Sequence, residues 1–239
     1  MKSLLNAIVD DECSTVRSLL QADGRLATCL TDSAKLYESG IFHWLYVGDT
    51  ALHLAAAGYR VEIAQLLLAA GADPNAANNH RHSGPLHYAA DGYVIHPAWD
   101  AKRQVKTIRF LVGAGANVNA GDKNGATPLH RAVRTRCALA ATCLLKCGAD
   151  PTSKNRSGSS PFHLAVQSTG RGGSGVEAAK IAQRKIIEAF LAQGVSTRLK
   201  DGKGKSVAEC AESKWIKDLL AGGGASRARP ASSRESKRR

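Results

Sequence analysis

One short phrase recurs in register along this chain, and it constrains the fold more than any other feature. It reads Thr127-Pro128-Leu129-His130, and again Thr50-Ala51-Leu52-His53, Gly84-Pro85-Leu86-His87 and Ser160-Pro161-Phe162-His163. A second apolar run follows three of these copies and ends in Gly71-Ala72-Asp73, Gly115-Ala116-Asn117 or Gly148-Ala149-Asp150. Self-similarity at a fixed period is the signature of a repeat architecture, in which each unit touches only its neighbours.

The spacing of the histidines sets the period. His53 to His87 is 34 residues, His87 to His130 is 43, and His130 to His163 is 33. The third unit therefore carries ten additional residues. Val105, Phe110 and Gly115 match Val61, Leu66 and Gly71 at an offset of 44, so the insertion falls between two helices, roughly at Asp91 to Arg103. By the same comparison the fifth unit carries thirteen additional residues around Gln167 to Gln183. That insertion holds the run Gly170-Arg171-Gly172-Gly173-Ser174-Gly175, flexible by composition.

Within a unit, Thr50 or Thr127 suits the N-cap of a first helix, and proline suits the next position, where its missing N–H is not needed. The leucine enters the core. The histidine can bond to the threonine hydroxyl or to a neighbouring turn carbonyl, a structural task that makes all four histidines poor candidates for catalysis or metal binding. In the second unit, Thr50 to Ala57 reads as an inner helix and Val61 to Ala70 as an outer one, with Val61, Ala64, Leu67 and Leu68 on one stripe. Gly71 then ends the outer helix by turning left-handed.

The motif, the Gly-Ala-Asp turn and the period of about 33 residues together resemble the ankyrin repeat family. The resemblance covers residues 2–220. It implies an all-α solenoid of stacked antiparallel helix pairs with long turns projecting as fingers, capped at both ends. Its units are about 2–30, 45–78, 79–121, 122–154, 155–200 and 201–220, followed by a disordered basic tail over 221–239. The first unit is worn, with Leu4-Leu5-Asn6-Ala7 in place of Leu-His-x-Ala, and Ser14 is the expected N-cap of its second helix. This sequence departs from the family pattern at Ala51 and Gly84 and in its two expanded helix-to-helix turns, which add surface on the edge opposite the fingers.

Two further stretches stand apart. Residues 31–47 form a long connection holding four of the twelve Phe, Trp and Tyr: Tyr37, Phe42, Trp44 and Tyr46. A short helix is expected there at Ser33–Glu38. The tail from Gly222 to Arg239 has six positive residues and one negative, a net of +5 out of the chain's +13, so the body is basic too.

Several chemical motifs fail on context. Gly170-x-Gly172-x-x-Gly175 follows a helix rather than a strand, which does not suit a dinucleotide site. Gly204-Lys205-Ser206 has Leu199 where a phosphate loop needs glycine. His80 and His82 have no third ligand, and Cys143 and Cys147 read as small apolar residues in a reducing compartment. No catalytic, cofactor-binding or metal-binding residues are assigned. The N-terminal apolar run is short and reads as a helix over 2–9, and no stretch reaches the ~18 residues needed to span a membrane. A cytoplasmic, monomeric protein is expected.

The resemblance implies a non-enzymatic scaffold that binds a protein partner through its finger turns and inner-helix face. On that basis the contact candidates are the finger-tip residues Tyr46, Arg81, Lys123, Asn124 and Arg156 and the inner-helix residues Arg131 and Arg134. Trp44 and Trp99 are further candidates, with packing of the loops onto the body as the competing reading. The alternative function is binding of nucleic acid or an acidic partner through the basic tail.

Overall fold

The computed structural model describes residues 1–77, 79–92, 94, 96–168 and 177–225. The Gly170–Gly175 run and the charged part of the tail lie outside the described residues. Helix pairs follow one another as the repeat predicts: α1 (Lys2–Val9) with α2 (Cys13–Ala22), α3 (Ala51–Ala57) with α4 (Val61–Ala69), α5 (Pro85–Ala90) with α6 (Ala101–Gly113), α7 (Pro128–Arg134) with α8 (Ala138–Lys146), α9 (Pro161–Val166) with α10 (Glu177–Ala192), and α11 (Val207–Cys210) with α12 (Lys214–Ala225). Inner helices stack on inner and outer on outer, and a single apolar core runs through the stack from Leu4 to Leu220. Helix α12 continues past residue 221, where the sequence placed the start of the tail. Helix α2 begins at Cys13 after Glu12, with no side-chain cap, so Ser14 does not cap it.

Each motif histidine joins two repeats. His53 Nδ1 accepts the Thr50 amide at 3.0 Å, and its Nε2 lies 2.9 Å from the Ser83 carbonyl of the next unit. His87 does the same between Gly84 and Ala126 (3.1 and 3.0 Å), and His130 between Thr127 and Ser159 (3.1 and 3.1 Å). His163 links Ser160 to Lys205 at 3.3 and 3.3 Å. A carbonyl can only accept, so Nε2 carries the proton and Nδ1 does not. The neutral imidazole is required because it is both acceptor and donor. In the last unit Glu209 takes the histidine's place and accepts from the Ser206 amide at 2.7 Å and the Ser206 hydroxyl at 2.6 Å. A carboxylate accepts but does not donate onward, which suits a closing unit.

The finger turns are built alike. The side-chain oxygen of Asn79 accepts the Arg81 and Ser83 amides, and Asp122 accepts from Asn124 and Ala126. Asn155 accepts from Ser157 and Ser159, and Asp201 from Lys203 and Lys205. The left-handed residue of these turns is glycine at Gly125, Gly158 and Gly204, and His82 at φ 50° takes that place in the third unit.

Helix-to-helix turns come in two forms. The tight form passes through a left-handed residue: Asp11, Tyr59 or Arg136. The amides of Glu12, Arg60 and Cys137 then close onto the carbonyls of Ala7, Ala55 and Ala132, each at 2.9 Å. In the two expanded units a glutamine side chain supplies that bond. Gln104 Nε2 donates to Ala89 O at 3.0 Å, and Gln183 Nε2 donates to Ala165 O at 2.7 Å. Both glutamines are buried. An insertion moves the backbone amide away, and a buried carbonyl left without a donor is costly.

The 31–47 connection is a β-hairpin, not the helix expected at Ser33–Glu38. Strand β1 (Lys35–Glu38) pairs antiparallel with β2 (Phe42–Leu45), with Tyr37 opposite His43 and Leu36 opposite Trp44. Aromatic residues favour a pleated, half-buried surface, and Ser39-Gly40 supplies the turn. A lone two-stranded hairpin is marginal in water. This one is held by the burial of Tyr37, Ile41 and Leu45 and by a clasp at its base. There Thr31 exchanges backbone bonds with Asp49 and Gly48, both at 2.8 Å.

Two outcomes are expected. Burial holds His53, His87 and His130 below the usual imidazole range, with His87 at about 4 and further lowered by Arg131. The unfolded chain then takes up protons that the folded chain refuses, so stability present above pH ~6.5 is lost as pH falls towards 4. For His87 alone the loss is on the order of 3 kcal/mol. Urea unfolding at pH 7.5 and 4.5 measures it, and His87→Gln should flatten that dependence. Gln104→Leu leaves the Ala89 carbonyl without its donor and should lower unfolding free energy by about 2–3 kcal/mol in the same assay.

Candidate functional site

The inner face of a stacked array presents two rows of side chains, one and four residues after each motif histidine. Here the first row is Leu54, Tyr88, Arg131 and Leu164, and the second is Ala57, Asp91, Arg134 and Gln167. The hairpin covers the early part of both rows. Ile41 lies against Gly58 so closely that no side chain fits there. His43 packs on the Tyr88 ring with centroids 4.7 Å apart. Its Nδ1–H donates to the Trp44 carbonyl at 2.7 Å, and its Nε2 faces Asp91 Oδ2 at 3.9 Å. Arg60 anchors the hairpin turn by donating to Gly40 O at 3.1 Å and to Val9 O at 3.1 Å. Burial pushes the His43 pKa down against the opposing pull of Asp91.

Beneath the hairpin lies a polar knot. Asp49 is fully buried and accepts from the Tyr88 hydroxyl, the Asn79 amide and the Tyr46 backbone N–H, each at 2.6 Å. These bonds tie the hairpin base, the next finger turn and α5 to one carboxylate. Burial, then the Asp49 charge, raises the Tyr88 pKa well beyond the phenol range.

Where the hairpin stops, the face opens into a cleft of about 290 Å³ lined by Leu36, Phe42, His43, Trp44, Tyr46, Arg81, Asp91 and Arg134. Four of the residues singled out from the sequence meet there. Trp44 is 46% exposed and stacks on Tyr46 with centroids 6.2 Å apart. Arg81 lies over the Tyr46 ring at 5.0 Å and donates to its hydroxyl at 2.8 Å, so the Tyr46 ring is held on two sides. The Arg134 side chain is 47% exposed and reaches to 3.8 Å from Asp91. Lys123, Asn124 and Arg156 lie exposed on the finger turns that continue from the cleft.

Two candidates, Arg131 and Trp99, do not line this cleft. Arg131 was expected at the contact face, but its side chain is 4% exposed. Its guanidinium reaches Asp122 at 2.7 Å, Ser83 Oγ at 2.9 Å and Asp91 at 3.5 Å. An arginine on the inner face between two carboxylates folds inward, because each carboxylate needs a counter-charge once buried. Burial is the largest single influence on Asp122 and raises its pKa, but the Arg131 bond and charge together with the Ala126 and Asn124 amides turn the net direction down. Trp99 packs half-buried against the core and donates its indole N–H to Gln104 Oε1 at 3.2 Å, supporting the glutamine that closes α5.

Sequence reading missed His43, Phe42, Leu36 and Asp91. Nothing in the repeat pattern points to the first three, which reach the face only because the connection folds back as a hairpin. Asp91 carried a readable signal, since it stands in the inner-helix row at the point where the period breaks. Arg131→Ala would leave buried Asp122 without its counter-charge and Asp91 with only the more distant Arg134, and a loss of about 3–5 kcal/mol is expected in chemical unfolding.

Residues 47–79 match the family model described as ankyrin repeat, and residues 95–201 match the model for three ankyrin repeats. The chain is 31% identical over 148 residues to the Ankyrin repeat and KH domain-containing protein mask-1 of Caenorhabditis elegans, covering 61% of this chain and 5% of that protein. It is 33% identical over 89 residues to the E3 ubiquitin-protein ligase KEG of Arabidopsis thaliana, covering 37% of this chain and 5% of that protein. The chain thus spans a small fraction of each relative's length. With the repeat matched on both sides of the first insertion and the histidine bridges in register, this chain belongs to the ankyrin repeat family.

Proposed function

We propose that this chain is a non-catalytic protein-interaction scaffold that receives its partner in the cleft beside Trp44 and along the adjoining finger turns. Ankyrin repeats generally mediate protein–protein interaction, which supports the broad class. The observation that carries the specific reading is the convergence of Trp44, Tyr46, Arg81 and Arg134 on one open cleft. Trp, Tyr and Arg are the residue types in which binding energy concentrates at protein interfaces. The aromatic walls are already ordered by ring stacking and by the Arg81–Tyr46 bond, so little conformational freedom is lost on binding.

The polar groups beneath the cleft support recognition rather than turnover. His43 gives its Nδ1 proton to a backbone carbonyl, and Asp91 faces two arginines. All six cysteines are free thiols, which favours a reducing, cytoplasmic setting. No described helix is long and apolar enough to cross a membrane.

Trp44→Ala/Arg134→Ala in the full chain tests the reading. Both side chains are about half exposed, so the helical circular dichroism should not change. Affinity capture followed by mass spectrometry should show the main partners of the wild type reduced at least tenfold. Equal capture by both proteins would place the contact surface elsewhere.

A further inference from the structure

The finger turns that lead away from the cleft carry charge in a regular way. Arg81, Lys123, Arg156 and Lys203 stand one per turn from the third unit to the last, and Lys205 adds to the final turn. Of the acids in these turns, Asp122 is buried against Arg131, and the partly exposed Asp201 offsets charge only at the last turn. Asp122 and Asp201 fold back to accept the backbone amides of their own turns, and Asp122 is further occupied by Arg131. The cations are also held in line by the backbone. The Lys123 amide donates to the Arg81 carbonyl at 2.7 Å, and the Arg156 amide donates to the Asn124 carbonyl at 2.8 Å. Gly158 and Gly202 pack so tightly that neither position has room for a side chain, which seats the fifth turn on the sixth. The result is a row of positive charge on a rigid edge, with an aromatic cleft at its first end.

Resting on the interaction reading above, we infer that this edge binds an extended acidic polypeptide segment with a carboxylate at about every third residue and an aromatic anchor at one end. Stacked helices lie about 8–10 Å apart, so cations presented once per repeat recur at about that distance. An extended segment of polyproline type advances about 3.1 Å per residue with three residues per turn, so every third side chain returns to the same side after about 9 Å. Carboxylates at that interval meet successive turns. The anchor enters against Leu36, Phe42 and Trp44, where Arg81 and Arg134 border the apolar walls. A nucleic-acid strand suits the edge less well. Its bases advance about 3.4 Å along the strand and bring a charge at every step, whereas this row offers one or two cations per repeat.

The test uses the full chain and a fluorescein-labelled synthetic peptide with Glu at every third position and Trp at one end, read by fluorescence anisotropy at 50 and 150 mM salt. Control probes are the same peptide with Gln for Glu, a peptide of equal composition with its Glu residues clustered, and a single-stranded oligonucleotide of similar charge. Lys123→Glu/Arg156→Glu should weaken binding of the spaced peptide at least tenfold while leaving circular dichroism unchanged, since both side chains are exposed. Trp44→Ala should weaken it several-fold, and clustering the Glu residues should weaken it to a similar degree. Binding that is equal for spaced and clustered peptides, or indifferent to Lys123→Glu/Arg156→Glu, overturns the inference. So does an oligonucleotide that binds more tightly than the peptide and is lost in the same double variant. If partner capture fails in Trp44→Ala/Arg134→Ala but no acidic peptide binds, the interaction reading stands and this inference falls.

Discussion

Each motif histidine accepts a hydrogen bond at Nδ1 from the N-cap amide of its own inner helix and donates its one N–H, at Nε2, to a carbonyl in the next finger turn. One side chain therefore sets the angle between finger and helix and fixes the register of adjacent units. An imidazole can do both only while it is neutral. The burial that pushes the pKa of His53, His87 and His130 down is the same burial that makes their two bonds strong. The array ends where this relay ends, at Glu209, which accepts from its own N-cap and has no proton to pass on.

On this scaffold the hairpin alters what the inner face can offer. The first part of the concave surface is filled by Ile41, His43 and Leu45 from the chain itself, and Asp49 locks the hairpin base to α5 and to a finger turn. The part of the inner face that stays open begins at the boundary between the hairpin and the later units. There Trp44 and Tyr46 from the hairpin side meet Arg81 and Arg134 from the repeats. Charge is sorted over the same region. Carboxylates on the inner face and in the finger turns are taken up by Arg131 or by backbone amides, while the lysines and arginines of the turns face outward.

The expanded turns show how a repeat tolerates an interruption. A tight turn satisfies the carbonyl two residues after the histidine with a backbone amide, using a left-handed residue such as Tyr59. An insertion removes that amide, and a buried glutamine replaces it. Gln183 stands at the end of the second insertion and Gln104 just after the first. Their shared task was not legible in the sequence, because it depends on which carbonyl the displaced helix leaves open.

The sequence by itself determined the all-α array, the helix pairs of the regular units and the structural role of His53, His87, His130 and His163, because these follow from local chemistry repeated at a fixed interval. It also named Trp44, Tyr46, Arg81 and Arg134 one by one, but not that they line one cleft. Only the tertiary structure decided that residues 35–45 form a hairpin, since a four-residue strand has too little periodicity to be told from a short helix. Only the tertiary structure separated Arg134, which stays at the surface, from Arg131, which turns inward between Asp91 and Asp122. Both are arginines on one inner helix, and the difference is that Arg131 reaches Asp122 of its own finger turn as well as Asp91 of the preceding repeat, whereas Arg134 approaches only Asp91.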